Sequence, residues 1–574
     1  MKNISSGFKV NHLRYVCILE YSEVYNKQMS EEKFIEMLSK MNCQKTIAIL
    51  SRLASLHIAC CEGDTNAKKL YKRIIEIHER YIKNNGGKKK EFCKDYGIMC
   101  PQSIFTLEKW VLLYCNTESE NKNITYSDIN KVIDAILVVN DMFPKDDMDN
   151  HKMEYLYLML YYNTHKIIKD QIARAFYIFA ILAKQDNQVA EFLDKYKEQR
   201  GFSVEDRLAV LFNLLCFTKT RFSSMNKFTQ KMCIDIDNFD AGGLEEVYDT
   251  VVKSMRTSYK DAKEHMLKVL KKVWNFEPFY RTPFINIKGL QFAFSEATIV
   301  YQMWEGLYWD VRYTFKENGE KFMTEFGHPF EKYVQEITFE AVEESNCTVR
   351  FQNEFFYRYK GKKIASTDCY FRIGNDLFVV EAKAKSPHSD TVTGINRNAI
   401  EKEVNELISE PVIQAANRIK EIYSHDINVN KEIKEFFEGV KNVVILSVCM
   451  EKVQPLGELL YKSDKDVEQI FLGTNIIAYH NLSIEDYEAI CKLVEENPKE
   501  LLNILVKWFK DQRKDARSAV VLANFLESYG KKYACSKYVS NLFNESFKEI
   551  TIRTFGKDLT PKLNALIKEL SCQN

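Results

Sequence analysis

The sequence predicts a multidomain, mainly α-helical protein with one α/β domain. That domain is expected to be a mixed central sheet flanked by helices, between a large helical N-terminal region and a small helical C-terminal one. Three observations lead there. The chain has 574 residues, too many for a single hydrophobic core. It holds only 20 Gly and 10 Pro and is rich in Leu, Ile, Lys and Glu, which favours helix. Strand-like apolar runs are concentrated between about residues 322 and 493, and most of the flanking sequence reads at helical spacing. The expected units are residues 1–300, 301–495 and 496–574, with further breaks in the first near 141–150 or 240–243.

Composition narrows the function classes. The chain is 45% hydrophobic and 28% charged, and its 81 basic and 80 acidic side chains leave a net charge of +1. It is not a polycation, so any nucleic-acid contact needs positive charge gathered locally. The 15 cysteines stand singly apart from Cys60-Cys61. No C-x-x-C occurs, and Cys93 and Cys100 lack a second pair, which argues against a zinc site. Met1 to Val10 has no apolar signal core, and no window approaches the roughly eighteen apolar residues of a membrane span. A cytoplasmic protein with reduced thiols and no membrane partner is expected. There is no Gly-x-x-x-x-Gly-Lys-Ser/Thr phosphate loop and no fixed-period repeat.

In chain order, residues 1 to about 300 read as successive amphipathic helices, with clear stripes over Glu32–Leu56 and Ile129–Val139. Breaks fall at Asn84-Asn85-Gly86-Gly87 before Lys88-Lys89-Lys90, at Phe143-Pro144-Lys145-Asp146-Asp147 and at Asp240-Ala241-Gly242-Gly243. Aromatic residues then crowd Tyr301, Trp304, Tyr308, Trp309, Tyr313 and Phe315. They read as a base-stacking platform or as anchors where helices dock on a neighbouring domain. A helix is predicted from about Pro329, striped by Phe330, Val334, Ile337 and Ala341. Strands are predicted at Phe351–Tyr359, Ile364–Ile373, Leu377–Ala384, Val443–Val448 and Thr474–Tyr479, with a long helix at Ala399–Ile422 between the third and fourth. Beyond about Asn497 the chain returns to helix, where Trp508 and Phe509 sit among Lys507, Lys510, Arg513 and Lys514 on an expected solvated face.

The chemistry-bearing residues lie at the end of the third of those strands. In Leu377-Phe-Val-Val-Glu381-Ala-Lys383-Ala-Lys385 alternate side chains share a face, so Glu381, Lys383 and Lys385 point with Leu377 and Val379. Both faces are apolar up to Glu381, as in a central buried strand, and a carboxylate there needs a partner. Glu-x-Lys also occurs at Glu31/Lys33, Glu120/Lys122 and Glu432/Lys434, but not closing an apolar strand. Gly374-Asn375 suits a two-residue hairpin turn. The register it imposes pairs Ile373 with Asp376 and sets Asp368 opposite Glu381. Opposed Cβ atoms lie about 4.5–5.5 Å apart, and two carboxylates so close call for a proton or a cation. Mg²⁺ fits such a gap. Glu331, expected in the first turn of the preceding helix, is a third acid. It reads as a metal ligand or as a carboxylate favoured by the helix dipole. From Phe351 to Lys385 seven Lys or Arg face four acids, a local excess of three positive charges. Lys360-Gly361-Lys362-Lys363 reads as a hairpin tip, touching phosphates or simply solvated.

The order helix with Glu331, strand with Asp368, strand with Glu381-Ala382-Lys383, helix, strand resembles the αβββαβ core of the PD-(D/E)XK nuclease superfamily, as does the Gly-x-x-Phe-Glu phrase at 327–331. The resemblance covers roughly residues 322–493. It implies Asp368, Glu381 and the Ala382 carbonyl as Mg²⁺ ligands, with Mn²⁺ able to substitute, and Glu331 assisting directly or through water. Lys383 would orient or help deprotonate the attacking water and stabilise charge at phosphorus. Gln414 is an accessory candidate because branches of the family carry a Gln in the following helix, and Lys385 is another. Thr367 stands where the family name has Pro, and Arg418 where a Gln-x-x-x-Tyr branch has Tyr. The expected function is a Mg²⁺-dependent endonuclease, with DNA favoured over RNA because the family mostly cuts DNA. The fused helical region, resembling bacterial antiviral-defence or mobile-element proteins, would select substrate, bind a protein partner or self-associate. The alternative is a helical scaffold or sensor whose nuclease-like domain only binds nucleic acid.

Overall fold

The computed structural model describes residues 17–61, 63–87, 96–97, 99–117, 123–143, 151–163, 168–219, 224–229, 242–315, 319–394, 396–424, 429–515 and 518–555. The expected breaks at Lys88-Lys89-Lys90, Pro144–Asp147 and Asp240-Ala241 lie outside the described residues. The chain is mostly helical, with mixed sheets toward its C-terminal half.

The principal sheet is built from the predicted segments. Helix α1 (Gly327–Glu343) leads into strand β1 (Val349–Asn353), followed by β2 (Phe356–Tyr359), β3 (Lys362–Ala365), β4 (Cys369–Ile373) and β5 (Asp376–Lys383). Helices α2 (Arg397–Val404) and α3 (Glu410–Ile422) run on through a π-helical turn at Asn405–Ser409. Then come β6 (Asn442–Cys449), α4 (Gly457–Phe471), β7 (Ile476–Ser483) and α5 (Ile484–Glu496). The five-stranded sheet has the order β7-β6-β5-β4-β1. Strands β5, β6 and β7 run parallel, while β4 is antiparallel to both β5 and β1. The expected strands Phe351–Tyr359 and Ile364–Ile373 are each split, because β2 and β3 leave the sheet to form a separate two-stranded hairpin. Its tip, Lys360-Gly361, has φ of 48° and 78°, the pair of left-handed residues a tight hairpin needs.

Register follows the turn. Gly374 has φ +60°, and Ile373 pairs with Asp376, Arg372 with Leu377, and so on to Cys369 with Val380. Side chains therefore alternate as expected. Leu377 and Val379 join one core with Ile400, Val404, Val412, Ala415 and Ile419 of α2 and α3. Phe378, Val380 and Ala382 join another with Phe330, Val334, Ile337 and Ala341 of α1 and Tyr487 and Ile490 of α5. Parallel strands buried on both faces read as continuous apolar runs for this reason.

Both cores extend into the N-terminal region. The first includes the helices Cys43–Cys61, Pro101–Tyr114 and Tyr126–Asp141. The second includes Ile168–Ala175, Val204–Lys219 and the aromatic segment, where Met303, Trp304, Leu307, Tyr308 and Val311 are buried. Two expectations need correction here. The Glu32–Leu56 stripe is two helices, Glu31–Ser39 and Cys43–Cys61, which change direction at Met41-Asn42, where Asn116 N donates to Met41 O. Residues before 300 are also not purely helical. Arg256–Ser258, Phe284–Ile287 and Leu290–Ala293 form a three-stranded sheet turned at Lys288-Gly289, with φ of 51° and 83°. Trp508 is not on a solvated face: it is 1% exposed and stacks on His480 with centroids 4.4 Å apart.

One buried ion pair ties the helical region to the sheet domain. Arg174 donates from Nε and Nη2 to the two Glu488 carboxylate oxygens, each at 2.8 Å, and Tyr333 OH donates to Glu488 Oε1 at 2.6 Å. Removing one member of such a pair leaves the other charge buried without a partner. Arg174→Ala is expected to lower unfolding stability by about 3–5 kcal/mol in a guanidinium titration. A change under about 1 kcal/mol would show the pair to be unimportant to this interface.

Candidate active site

Strand β5 carries Glu381 to its carboxyl end, where the side chain is buried at 2% exposure. Lys383, two residues on and on the same face, donates from Nζ to Glu381 Oε1 at 2.6 Å. The other oxygen, Glu381 Oε2, is buried with no hydrogen-bond partner. A half-satisfied buried carboxylate is a high-energy arrangement unless a proton or cation completes it.

Asp368 arrives from the opposite strand, with one departure from the expected register. The β4–β5 ladder stops at Cys369–Val380, so Asp368 and Glu381 are not a backbone pair. Instead Asp368 Oδ2 accepts from the Ala382 amide at 2.6 Å, a side chain taking the place of the next main-chain acceptor. The Asp368 carbonyl turns the other way and accepts from Glu354 N at 3.0 Å and Gln335 Nε2 at 3.0 Å. Asp368 is thereby held at both ends, and its Oδ1 makes no hydrogen bond among the described residues.

The electrostatics follow from crowding. Burial pushes the Asp368 carboxyl well above the usual carboxylate range, and Glu381 and Glu331 add to it against the opposing Ala382 amide and Lys383. Burial likewise raises Glu381, opposed by Lys383, reinforced by Glu331 and opposed by Arg418. For Lys383, burial favours the neutral amine, but Glu381, Asp368 and Glu331 together outweigh it and raise its pKa. The amine therefore holds its proton. Glu354 is raised by burial and then by Glu331.

Glu331 belongs to this electrostatic group but sits elsewhere on its helix than expected. Helix α1 begins at Gly327 and follows the Gly319–Glu325 helix through Phe326, whose own φ and ψ (−65°, −16°) are helical. Glu331 is thus in the second turn, where the helix-dipole reading loses its force because the effect fades within the first turn. Gln414 is exposed, and no hydrogen bond or ion pair joins it to the acids among the described residues. The side chain of α3 that acts on Glu381 is Arg418, one turn later. Its Nη1 donates to Glu421 Oε2 at 3.3 Å, Tyr357 OH of the hairpin donates to the same oxygen, and its Nε is buried without a partner. Sequence reasoning missed Arg418, Glu421 and Tyr357. The Arg418/Glu421 spacing of three on one helix face was the available signal.

Lys385 lies past the end of β5 and is exposed. Its carbonyl accepts from Met450 N at 2.9 Å. Lys360, Lys362 and Lys363 lie on the exposed β2–β3 hairpin, with Lys363 Nζ 4.2 Å from the Phe356 ring centroid and Lys360 Nζ 5.0 Å from that of Tyr359. The donors available to a cation are the Asp368 and Glu381 carboxylates and the Ala382 carbonyl. No group of three or more His, Cys, Asp or Glu side chains among the described residues is gathered into a metal cage. Mg²⁺ ordinarily takes one or two carboxylates and keeps water or substrate oxygens elsewhere, so the orphaned Glu381 Oε2 and the fixed Asp368 suit it. Every cysteine whose state is described is unbridged. No described helix is long and apolar enough to cross a membrane.

Comparison with protein-family models, curated proteins and solved structures found no match to this chain.

A carboxyl that binds its proton more tightly folded than unfolded stabilises the fold at low pH. It withdraws that stability as pH rises through the folded value. Without divalent ions, stability should therefore fall as pH rises above about 4, the ordinary carboxylate value. Asp368→Asn, which keeps one oxygen to accept from Ala382, should flatten that fall. Thermal melts from about pH 4 to 9 check this, and equal slopes for the two proteins would count against the crowding.

Proposed function

We propose that this chain is a metal-dependent phosphodiesterase acting on nucleic acid, an endonuclease of the PD-(D/E)XK type. One observation carries the reading. Asp368 is locked onto the Ala382 amide beside a buried Glu381 with one free oxygen, and Lys383 stands on the same face, bonded to the other Glu381 oxygen. Such a cluster is costly to bury and wants a cation. The order of α1, the antiparallel β1-β4-β5 strands, α2–α3 and parallel β6 is compatible with an αβββαβ core.

A bound Mg²⁺ would supply Lewis acidity at a phosphoryl oxygen and a more acidic water. Asp368 and Glu381 would hold it, with the Ala382 carbonyl and Glu331 assisting. Lys383, which donates to Glu381 Oε1, would orient or help deprotonate the attacking water and stabilise charge developing on the phosphoryl group. Arg418 places a second positive charge near Glu381. Lys360, Lys362 and Lys363 form a basic edge suited to a phosphate backbone. DNA is preferred to RNA on the family resemblance alone, and a role in antiviral defence or a mobile element rests on the same footing.

The alternative is a nucleic-acid-binding module without hydrolysis, with the helical region as scaffold or sensor. The Lys383–Glu381 contact at 2.6 Å favours it, since a lysine already neutralises one of the two acids. Plasmid and RNA cleavage in Mg²⁺, Mn²⁺ or EDTA separates the two. Asp368→Ala, Glu381→Ala and Lys383→Ala should each lower the rate about a hundredfold or more while circular dichroism stays native. Cleavage untouched by all three substitutions would remove the site from the chemistry.

Metal binding has its own readout. Mg²⁺ replaces the proton these carboxyls otherwise hold, so it should raise the melting temperature more at pH 8 than at pH 5. The rise should vanish in Asp368→Asn with Glu381→Gln. A rise of equal size in that double variant would mean that the ion binds elsewhere.

A further inference from the structure

A cavity of about 550 Å³ lies between the N-terminal helices, the Glu296–Met303 and Glu305–Thr314 helices and the segment after β5. Its size is that of a small-molecule or cofactor site, and Asp368, Glu381 and Lys383 are not among its lining residues. The aromatic segment divides over it. Trp304, Leu307 and Tyr308 are buried in the core as docking anchors, while Tyr301, Trp309 and Tyr313 line the cavity. Trp309 and Tyr313, one helical turn apart, stack with centroids 5.9 Å apart and planes at 24°, and Tyr313 is 62% exposed. A stacked pair with an open face is a place for a third flat ring.

Four arginines also line it. Arg200 and Arg207 both bond Asp310, which partly neutralises their charges. Arg281 and Arg312 make no ion pair among the described residues, and the Arg312 guanidinium lies 4.9 Å from the Trp309 ring centroid. An apolar ligand would make no use of these two guanidinium groups, and a simple anion would make none of the stacked rings. We infer that this cavity binds a nucleotide unit, with its base against the Trp309–Tyr313 pair and its phosphate near Arg281 and Arg312.

One wall of the cavity continues β5. Pro387, His388 and Val392 line it, His388 N donates to Glu403 Oε1 at 2.7 Å, and Tyr162 OH donates to the Val392 carbonyl at 2.5 Å. An occupant therefore touches the segment that begins at Pro387, four residues beyond Lys383. The nucleotide has two possible sources, a free nucleotide or one residue of a strand. The inference stands on the cavity and does not depend on hydrolysis.

The test is a titration of the full-length chain in EDTA, read by tryptophan fluorescence. The ligands are adenosine monophosphate, inorganic phosphate and a single strand of about twelve nucleotides, within the length that single-strand grooves hold. Saturable binding of the nucleotide or the strand is expected. Arg281→Ala and Tyr313→Ala, both at exposed positions, should each weaken it about tenfold. Monophosphate binding that the strand does not displace marks a free-nucleotide pocket, and tighter, competing strand binding marks a substrate path; both support the inference. Three results overturn it: no saturable binding of either ligand, binding unchanged in both variants, or competition by phosphate as strong as by the monophosphate. Cleavage assayed in parallel with Mg²⁺ is judged separately, so a chain that binds but never cuts fails only as a nuclease.

Discussion

The hydrogen bond from the Ala382 amide to Asp368 Oδ2 is the contact on which the site depends. It forms where the β4–β5 ladder ends, so the aspartate does what a further residue of β4 would otherwise do. In that position the carboxylate cannot turn to solvent without leaving a strand amide unpaired. It is therefore held near Glu381 despite their mutual repulsion, and the raised pKa of both groups reflects burial first and crowding second. Lys383 relieves part of it at both acids, and Arg418 relieves part at Glu381. A fold seldom keeps such a cluster for stability alone, because apolar side chains of similar volume pack as well or better; clusters of this kind are concentrated at functional sites.

The surroundings keep that cluster rigid. Strand β5 is flanked by β4 as far as Val380 and by β6 along its whole length, and both of its faces are covered. Phe371 and Phe378 stack across the β4–β5 pair with centroids 4.6 Å apart, which holds the hairpin in one register from the opposite face. The two cores on either side of the sheet also reach into the N-terminal helices. The helical region is consequently part of the packing that holds the sheet, and the buried Arg174–Glu488 pair and the half-buried Tyr177–Glu336 hydrogen bond join the two.

The elements most legible in the sequence were those with a strong local pattern. The alternation in Leu377–Lys383 and the Gly374-Asn375 turn were sufficient to place β4 against β5 in the register observed through Val380–Cys369. The stripe of Phe330, Val334, Ile337 and Ala341 located α1. The sheet at Phe284–Ala293 was missed although it carries its own signal, alternating apolar residues around Lys288-Gly289, because the helical texture on either side dominated the reading. The excursion of β2 and β3 from the main sheet was not legible, since a strand that changes partners looks locally like one that does not.

The local sequence alone determined that Glu381 and Lys383 share a face, that Asp368 approaches them, and that the strand between is buried, because strand periodicity and turn geometry act over a few residues. Only the tertiary structure decided that the ladder stops at Cys369, that Arg418 rather than Gln414 acts on Glu381, and that Trp309 and Tyr313 line a cavity while Trp304 packs in the core. Each of these depends on which distant segment fills the space beside a side chain, and sequence spacing along a single element holds no record of that.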